Sequence, residues 1–177
     1  MKNIMKQKVI TLSMLLFLAL FQFLPMKAIL SPEQARTISV GDMQIRWEFV
    51  DDMIEFEMQS PLDGWVALGF NDENQIVGAN LIMAHCPDNQ PQLTDMYVVG
   101  FGDPRPVDTL GSQPQASIIS GGKNNGTHIR FKIPQTSSDQ HHFDLEPGQT
   151  IWLICAYSES EDLDHHSRMR RHVEVRL

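Results

Sequence analysis

Basic side chains are in short supply. Fourteen Lys and Arg stand against 22 Asp and Glu, a formal net charge of -8, so affinity built on neutralising phosphates is excluded and nucleic acid is not an expected partner. Charged residues make up only 20% of the chain, too few for a coiled coil or a charge-driven disordered tail. Cysteine is limited to Cys86 and Cys155, and no Cys-x-x-Cys or His-x-His spacing marks a preformed zinc or copper site. Also missing are a Gly-x-Ser-x-Gly elbow, a phosphate-cradling Gly loop and His-Glu-x-x-His, so the chain is not expected to be an enzyme. What is there suffices for one packed domain: 177 residues, 42% of them hydrophobic.

Long apolar runs are also few. Residues 9–24 (VITLSMLLFLALFQFL) form an uncharged run of 16, preceded by Lys2, Lys6 and Lys8 and followed by Pro25, Met26, Lys27 and Ala28. A basic head, an apolar stretch and a small residue at the cut are the parts of a signal peptide, and 16 residues fall short of the roughly 20 that span a bilayer. The expected organisation is a signal peptide over 1–28, a lead-in over 29–39 and one domain over 40–177, in a secreted or periplasmic/extracellular protein. Membrane contact is expected only through an uncleaved signal anchor. Cleavage removes four lysines and no acid, leaving 10 basic against 22 acidic residues, a net charge of -12. A charge of that size keeps an exported protein soluble.

Along the mature chain the hydrophobic signal has period two. Met43, Ile45, Trp47 and Phe49 alternate with polar residues, as do Ile54, Phe56 and Met58 after a turn, which predicts an antiparallel hairpin. Residues 64–70 (GWVALGF) and 80–86 (NLIMAHC) are nearly continuous apolar runs, as expected of central strands buried on both sides. Residues 94–101, 116–120, 127–133, 150–157 and 172–177 complete the strands. The two prolines of 103–107 (DPRPV) mark a loop outside any ladder, and Asn125-Gly126 a tight hairpin turn. About nine or more short strands and no sustained helical period predict an all-β antiparallel sandwich.

Residues 64–83 (GWVALGFNDENQIVGANLIM) resemble the signature of the DOMON domain, the dopamine β-monooxygenase N-terminal type: a Gly-Trp-x-Ala-x-Gly-Phe strand, a polar loop and a Gly-Ala-Asp/Asn step into an apolar strand. TDMYVVG, DPRPVD, THIRFKIP and DLDHHSRMRRHVEVRL resemble the segments that follow, so the likeness covers residues 40–177. The resemblance implies an immunoglobulin-like sandwich that binds haem or sugar in a pocket between its sheets, as a redox or recognition module. In the relatives such a module is commonly attached to larger catalytic parts, for which 177 residues leave no room.

Haem b is the leading cofactor implied. Cytochrome members of the family hold it with a Met from the polar loop and a His near the end. His165 and His166 lie in the matching place, with His166 preferred as the one nearer Arg168, and an imidazole there is a suitable axial ligand. The Met slot, two before Gly78, holds Ile76, which has no donor atom. Met83 on the next strand is the alternative thioether, and Trp65 the aromatic residue of the same signature. Three classes of function stay open: a binding module for haem or sugar, a small electron carrier with a redox partner protein, and a protein-interaction domain with a fully packed core.

Each residue also has a plainer reading. Met43, Met58, Met83 and Met96 serve as core filler, and Trp47, Trp65 and Trp152 as core aromatics. His141 and His142, in the polar stretch QTSSDQHHFD, read as solvated. Asp95 and Asn80, with Asp63, Asp72 and Glu73, are candidate oxygen ligands for a hard cation such as Ca²⁺. Cys86 and Cys155 lie in apolar strands of an exported chain, where a disulfide closing about 70 residues would add roughly 4 kcal/mol in the chain-entropy model; two buried free thiols in neighbouring strands look the same in the sequence.

Overall fold

The computed structural model describes residues 35–137 and 139–177; the signal peptide and most of the lead-in lie outside the described residues. Eleven strands form two antiparallel sheets, an immunoglobulin-like sandwich. The first sheet has the order β1-β2-β3-β9-β8, built from Arg36–Val40, Met43–Val50, Met53–Gln59, Thr127–Pro134 and Ser117–Lys123. The second has the order β11-β10-β4-β5-β6-β7, built from Met169–Arg176, Thr150–Tyr157, Val66–Asn71, Asn80–His85, Gln92–Gly100 and Asp103–Pro106. Among the described residues no helix is long and apolar enough to cross a membrane.

The period-two pattern sets the faces. Met43, Ile45 and Trp47 of β2, Ile54, Phe56 and Met58 of β3, and Ile129, Phe131 and Ile133 of β9 all point into the core. Their alternates Arg46, Glu48, Glu55, Glu57 and Arg130 pair along and across strands on the outer face, where partly exposed ion pairs add little stability. Phe56 joins the two sheets, its ring 5.1 Å from that of Phe70 on β4 and 5.6 Å from that of Phe131. This core fills the space between the sheets.

Two expectations about local structure change. Residues 103–106 form an edge strand, with Pro106 opposite Met96, Arg105 opposite Tyr97 and Pro104 opposite Val98. Proline is barred from a central strand but not from an edge, where its missing N–H leaves no paired acceptor. The lead-in contributes β1, whose Ile38 faces Ile45 of β2.

The cysteines do not bridge. Both are buried and free. Cys155 is opposite Leu68, and Leu68 opposite Ile82. Cys86 therefore lies two strand spacings to the side, about 10 Å, and four residues along, about 13 Å. A disulfide needs Cα atoms within about 7 Å. Burial pushes the Cys155 thiol up to about 12 and also raises that of Cys86.

Candidate functional site

Strands β4 and β5 are buried on both sides, as their sequences predict. Their inner residues join the sandwich core. Their outer residues belong to a second apolar cluster of Trp65, Ala67, Ala79, Leu81, Met83, Val98, Ile154 and Ala156, with Ile76, Met96 and Leu163 packed against it. This cluster lies on the outer face of the six-stranded sheet, and it floors a cavity of about 290 Å³, close to the lower end of the range for small-molecule sites. The site is thus outside the sandwich and not between its sheets, because the intersheet space is already packed with side chains.

The hollow has a cause in the sequence. Ala67 is opposite Ala156 on one side and Met83 on the other, so two methyl groups meet at the centre of a face that is otherwise large and apolar. Small residues there leave a depression bordered by Trp65, Leu81, Met83 and Ile154.

Two segments wall it. The first is the polar loop 72–79. Buried Asn71 organises it, donating its side-chain amide to the carbonyls of Gln75 (2.9 Å) and Val77 (3.2 Å) and accepting the Glu73 amide (3.1 Å). Gly78 turns at φ 87° and donates to the Val98 carbonyl at 2.8 Å, which brings Ile76 to the cavity wall. The second is the β10–β11 connection, residues 158–168, which contributes Leu163, Asp164, His165, His166 and Ser167. Trp65 fixes it from below: its indole N–H donates to the His165 carbonyl at 3.1 Å and its backbone N–H to that of Ser160 at 2.9 Å. Ser158 Oγ donates to the His166 carbonyl at 3.1 Å, and His85 Nδ1 lies 2.8 Å from the Glu161 carbonyl oxygen. Gly64 is required beneath this loop, since a Cβ would come within 2.3 Å of the Ser158 oxygen.

Trp65, Ile76, Met83, His165 and His166 therefore line one cavity, although they lie up to 101 positions apart in the sequence. The imidazoles are exposed at its wall, whereas Met83 and Trp65 are buried in its floor. Residues that sequence reasoning passed over complete it: Phe101 and Pro104 from the β6–β7 turn and β7, Leu163, and Arg170 of β11.

Asp95 and Asn80 have another place. They occupy the inward side of β6 and β5, both buried. Asp95 Oδ1 accepts from Asn80 Nδ2 at 2.7 Å; Oδ2 accepts from the amides of Gln115 (2.9 Å) and Ala116 (3.2 Å) and lies 3.2 Å from His142 Nε2. Both oxygens are thus occupied by N–H donors, and among the described residues no three His, Cys, Asp or Glu side chains converge as metal ligands. His142 is not solvated: its side chain is 5% exposed, with Nδ1 2.7 Å from Asp139. Burial alone would lower this imidazole, but the two carboxylates raise it above its usual range. Burial would likewise raise Asp95, yet the hydrogen bonds from His142, Gln115 and Asn80 hold it below the usual carboxylate range.

Comparison with known proteins gives these features a family. The family model for the DOMON domain matches residues 39–158. The chain is 28% identical over 128 residues to MOXD1 homolog 2 of Drosophila melanogaster and 27% identical over 120 residues to DBH-like monooxygenase protein 2 of Mus musculus. These matches cover 71% and 66% of this chain but only 16% and 19% of the relatives, so the chain spans less than a fifth of their length. The fold is similar to the cytochrome b domain of pyranose dehydrogenase from Coprinopsis cinerea, with a TM-score of 0.61 and 13% identity over 76% of each chain. It is similar also to the cytochrome domain of Myriococcum thermophilum cellobiose dehydrogenase, with a TM-score of 0.56 and 9% identity over 81% of each. At such identities the structural likeness establishes the fold alone. The family match extends over well more than half the chain and agrees with the sandwich observed, and on that ground the protein belongs to the DOMON family.

Proposed function

We propose that this chain is a binding module, not itself a catalyst, that holds haem b in the outer-face cavity and passes electrons to a partner protein outside the cytoplasm. The observation that carries the reading is the convergence of exposed imidazoles, His165 and His166, with an apolar floor of Ala67, Leu81, Met83, Val98, Ile154 and Ala156. Solved folds of this shape include two cytochrome domains, which supports a haem ligand without identifying it here. The extracytoplasmic setting rests on the sequence of residues 1–28.

The residues present fit such a group. A b-type haem asks for a nitrogen or sulfur donor and a pocket that keeps water from the ring; His166 or His165 would supply the nitrogen, and the apolar floor would keep water from the ring. Ile76 offers no donor atom, so the Met83 thioether would be the sulfur donor available in the cavity lining. Haem, once bound, supplies reversible one-electron chemistry. The Trp65 hydrogen bond to the His165 carbonyl orients the imidazole-bearing loop, while Arg170 places a cation at the cavity wall.

The test is an ultraviolet-visible titration of the purified full chain with haemin, before and after dithionite. A saturable Soret band, displaced from that of free haemin, supports the reading. A spectrum that stays that of free haemin at equimolar protein sinks it, and glycans become the next ligands to screen.

A further inference from the structure

Phe101 is 90% exposed; the next most exposed large apolar residue among the described ones, Ile119, is at 40%. One exposed apolar residue needs no explanation by itself. The position of this one does, because Phe101 lines the cavity described above, with Gly102 and Pro104 beside it. It sits at the β6–β7 turn between two glycines. Nothing lies within 4 Å of where a Cβ would be at either Gly100 or Gly102, and Gly102 has φ 70°. The turn is unpacked, and its backbone takes a conformation that glycine alone adopts freely. No contact within the fold accounts for an aromatic ring held there.

We propose that Phe101 is a ligand-contact residue that selects flat, conjugated, largely apolar ring systems, its own surface being covered only when the cavity is filled. This rests on the haem reading and adds the wall that the fold leaves open. The floor comes from sheet strands and two walls from the 72–79 and 158–168 loops; Phe101 supplies the aromatic face at the remaining edge. The lining of the floor favours a ring system over a sugar. Ala67, Leu81, Met83, Val98, Ile154 and Ala156 offer no side-chain N–H or O–H group, while the polar side chains Asp164, His165, His166, Ser167 and Arg170 come from the β10–β11 side; a ligand laid on the floor therefore needs an apolar face and a polar edge, and a polyol with hydroxyls on both faces would leave those against the floor unpaired.

The experiment compares the full-length chain with its Phe101→Ala and Phe101→Trp variants, using two probes, haemin and iron-free protoporphyrin, with tryptophan quenching as the readout. Phe101→Ala is expected to weaken both probes by about tenfold or more, because the contact is with the ring and not the metal. Phe101→Trp should keep wild-type affinity. Ligand-free melting temperatures should coincide for all three, since Phe101 is 90% exposed. If wild type binds haemin and Phe101→Ala binds it equally well, the proposal falls while the haem reading stands. If wild type binds neither probe, both fall. Unchanged porphyrin affinity together with loss of a protein partner would reassign Phe101 to docking and also overturn the proposal.

Discussion

Trp65 and His165 are 100 positions apart, yet the indole N–H of one donates to the backbone carbonyl of the other at 3.1 Å. The bond ties the entry to β4 to the loop that carries both candidate imidazoles. Trp65→Phe keeps most of the apolar volume and removes the donor. The expected loss is about 1 kcal/mol of stability, with faster amide exchange confined to residues 158–168 and weaker haemin binding. Uniform exchange across both sheets would show that the bond has no local role.

Alanines 67 and 156 create the hollow, so filling it should block it. Ala156→Leu adds three carbons above the floor on a face that is open on one side, at a stability cost of no more than about 1–3 kcal/mol. Haemin binding should be lost while circular dichroism still reports a folded sandwich. Retained binding would move the ligand away from this cavity.

Ile76 occupies the position where the family resemblance leads one to expect a methionine. Ile76→Met exchanges two side chains of similar volume, so stability should change by less than about 1.5 kcal/mol. If haem sits between this position and the β10–β11 loop, the variant should convert the loaded protein to a six-coordinate low-spin spectrum. His166→Ala should abolish that spectrum and His165→Ala should not. The reverse pattern would assign the imidazole to His165.

His142 bridges Asp95 and Asp139, and its stability contribution has a defined pH window. Its folded-state value is raised, so the stabilisation is complete below the unfolded value of about 6.5 and is lost as pH rises through the raised one. Asp95 and Asp139 are lowered, so their share is complete above about 3.9 and is lost as pH falls through their lowered values. The network is therefore strongest from about pH 4 to 6.5. His142→Gln should lower the melting temperature most in that window, and the gap to wild type should narrow by pH 9. A gap of constant size across this range would exclude a charged imidazole.

Much of the fold was legible because a half-buried strand writes its faces into the sequence at alternate positions, as in Met43 to Met58. The side of the sheet that holds the cavity was not. Both faces of β4 and β5 are apolar, and nothing local distinguishes the face pressed against the other sheet from the face that Ala67 and Ala156 leave hollow. The candidate residues His165, His166, Ile76 and Met83 came from motif resemblance, and the topology brings them to one wall and floor. Phe101 carried no signal, because a strand-end phenylalanine looks the same whether packed or exposed. His142 was misread for a related reason: its polar neighbours suggest water, and its partner Asp95 lies 47 residues away.

The edge strand β7 has a further effect. Pro104 and Pro106 have no amide hydrogen, so the ladder to β6 must draw its β7 donors from Asp103 and Arg105. The prolines are left in the outward positions, and the rim of the sheet beside Phe101 presents carbonyl oxygens without N–H groups between them. A foreign strand cannot zip onto this border. Whatever approaches the cavity from that side cannot be recognised by strand pairing, and the same border resists runaway pairing of one sheet with the next.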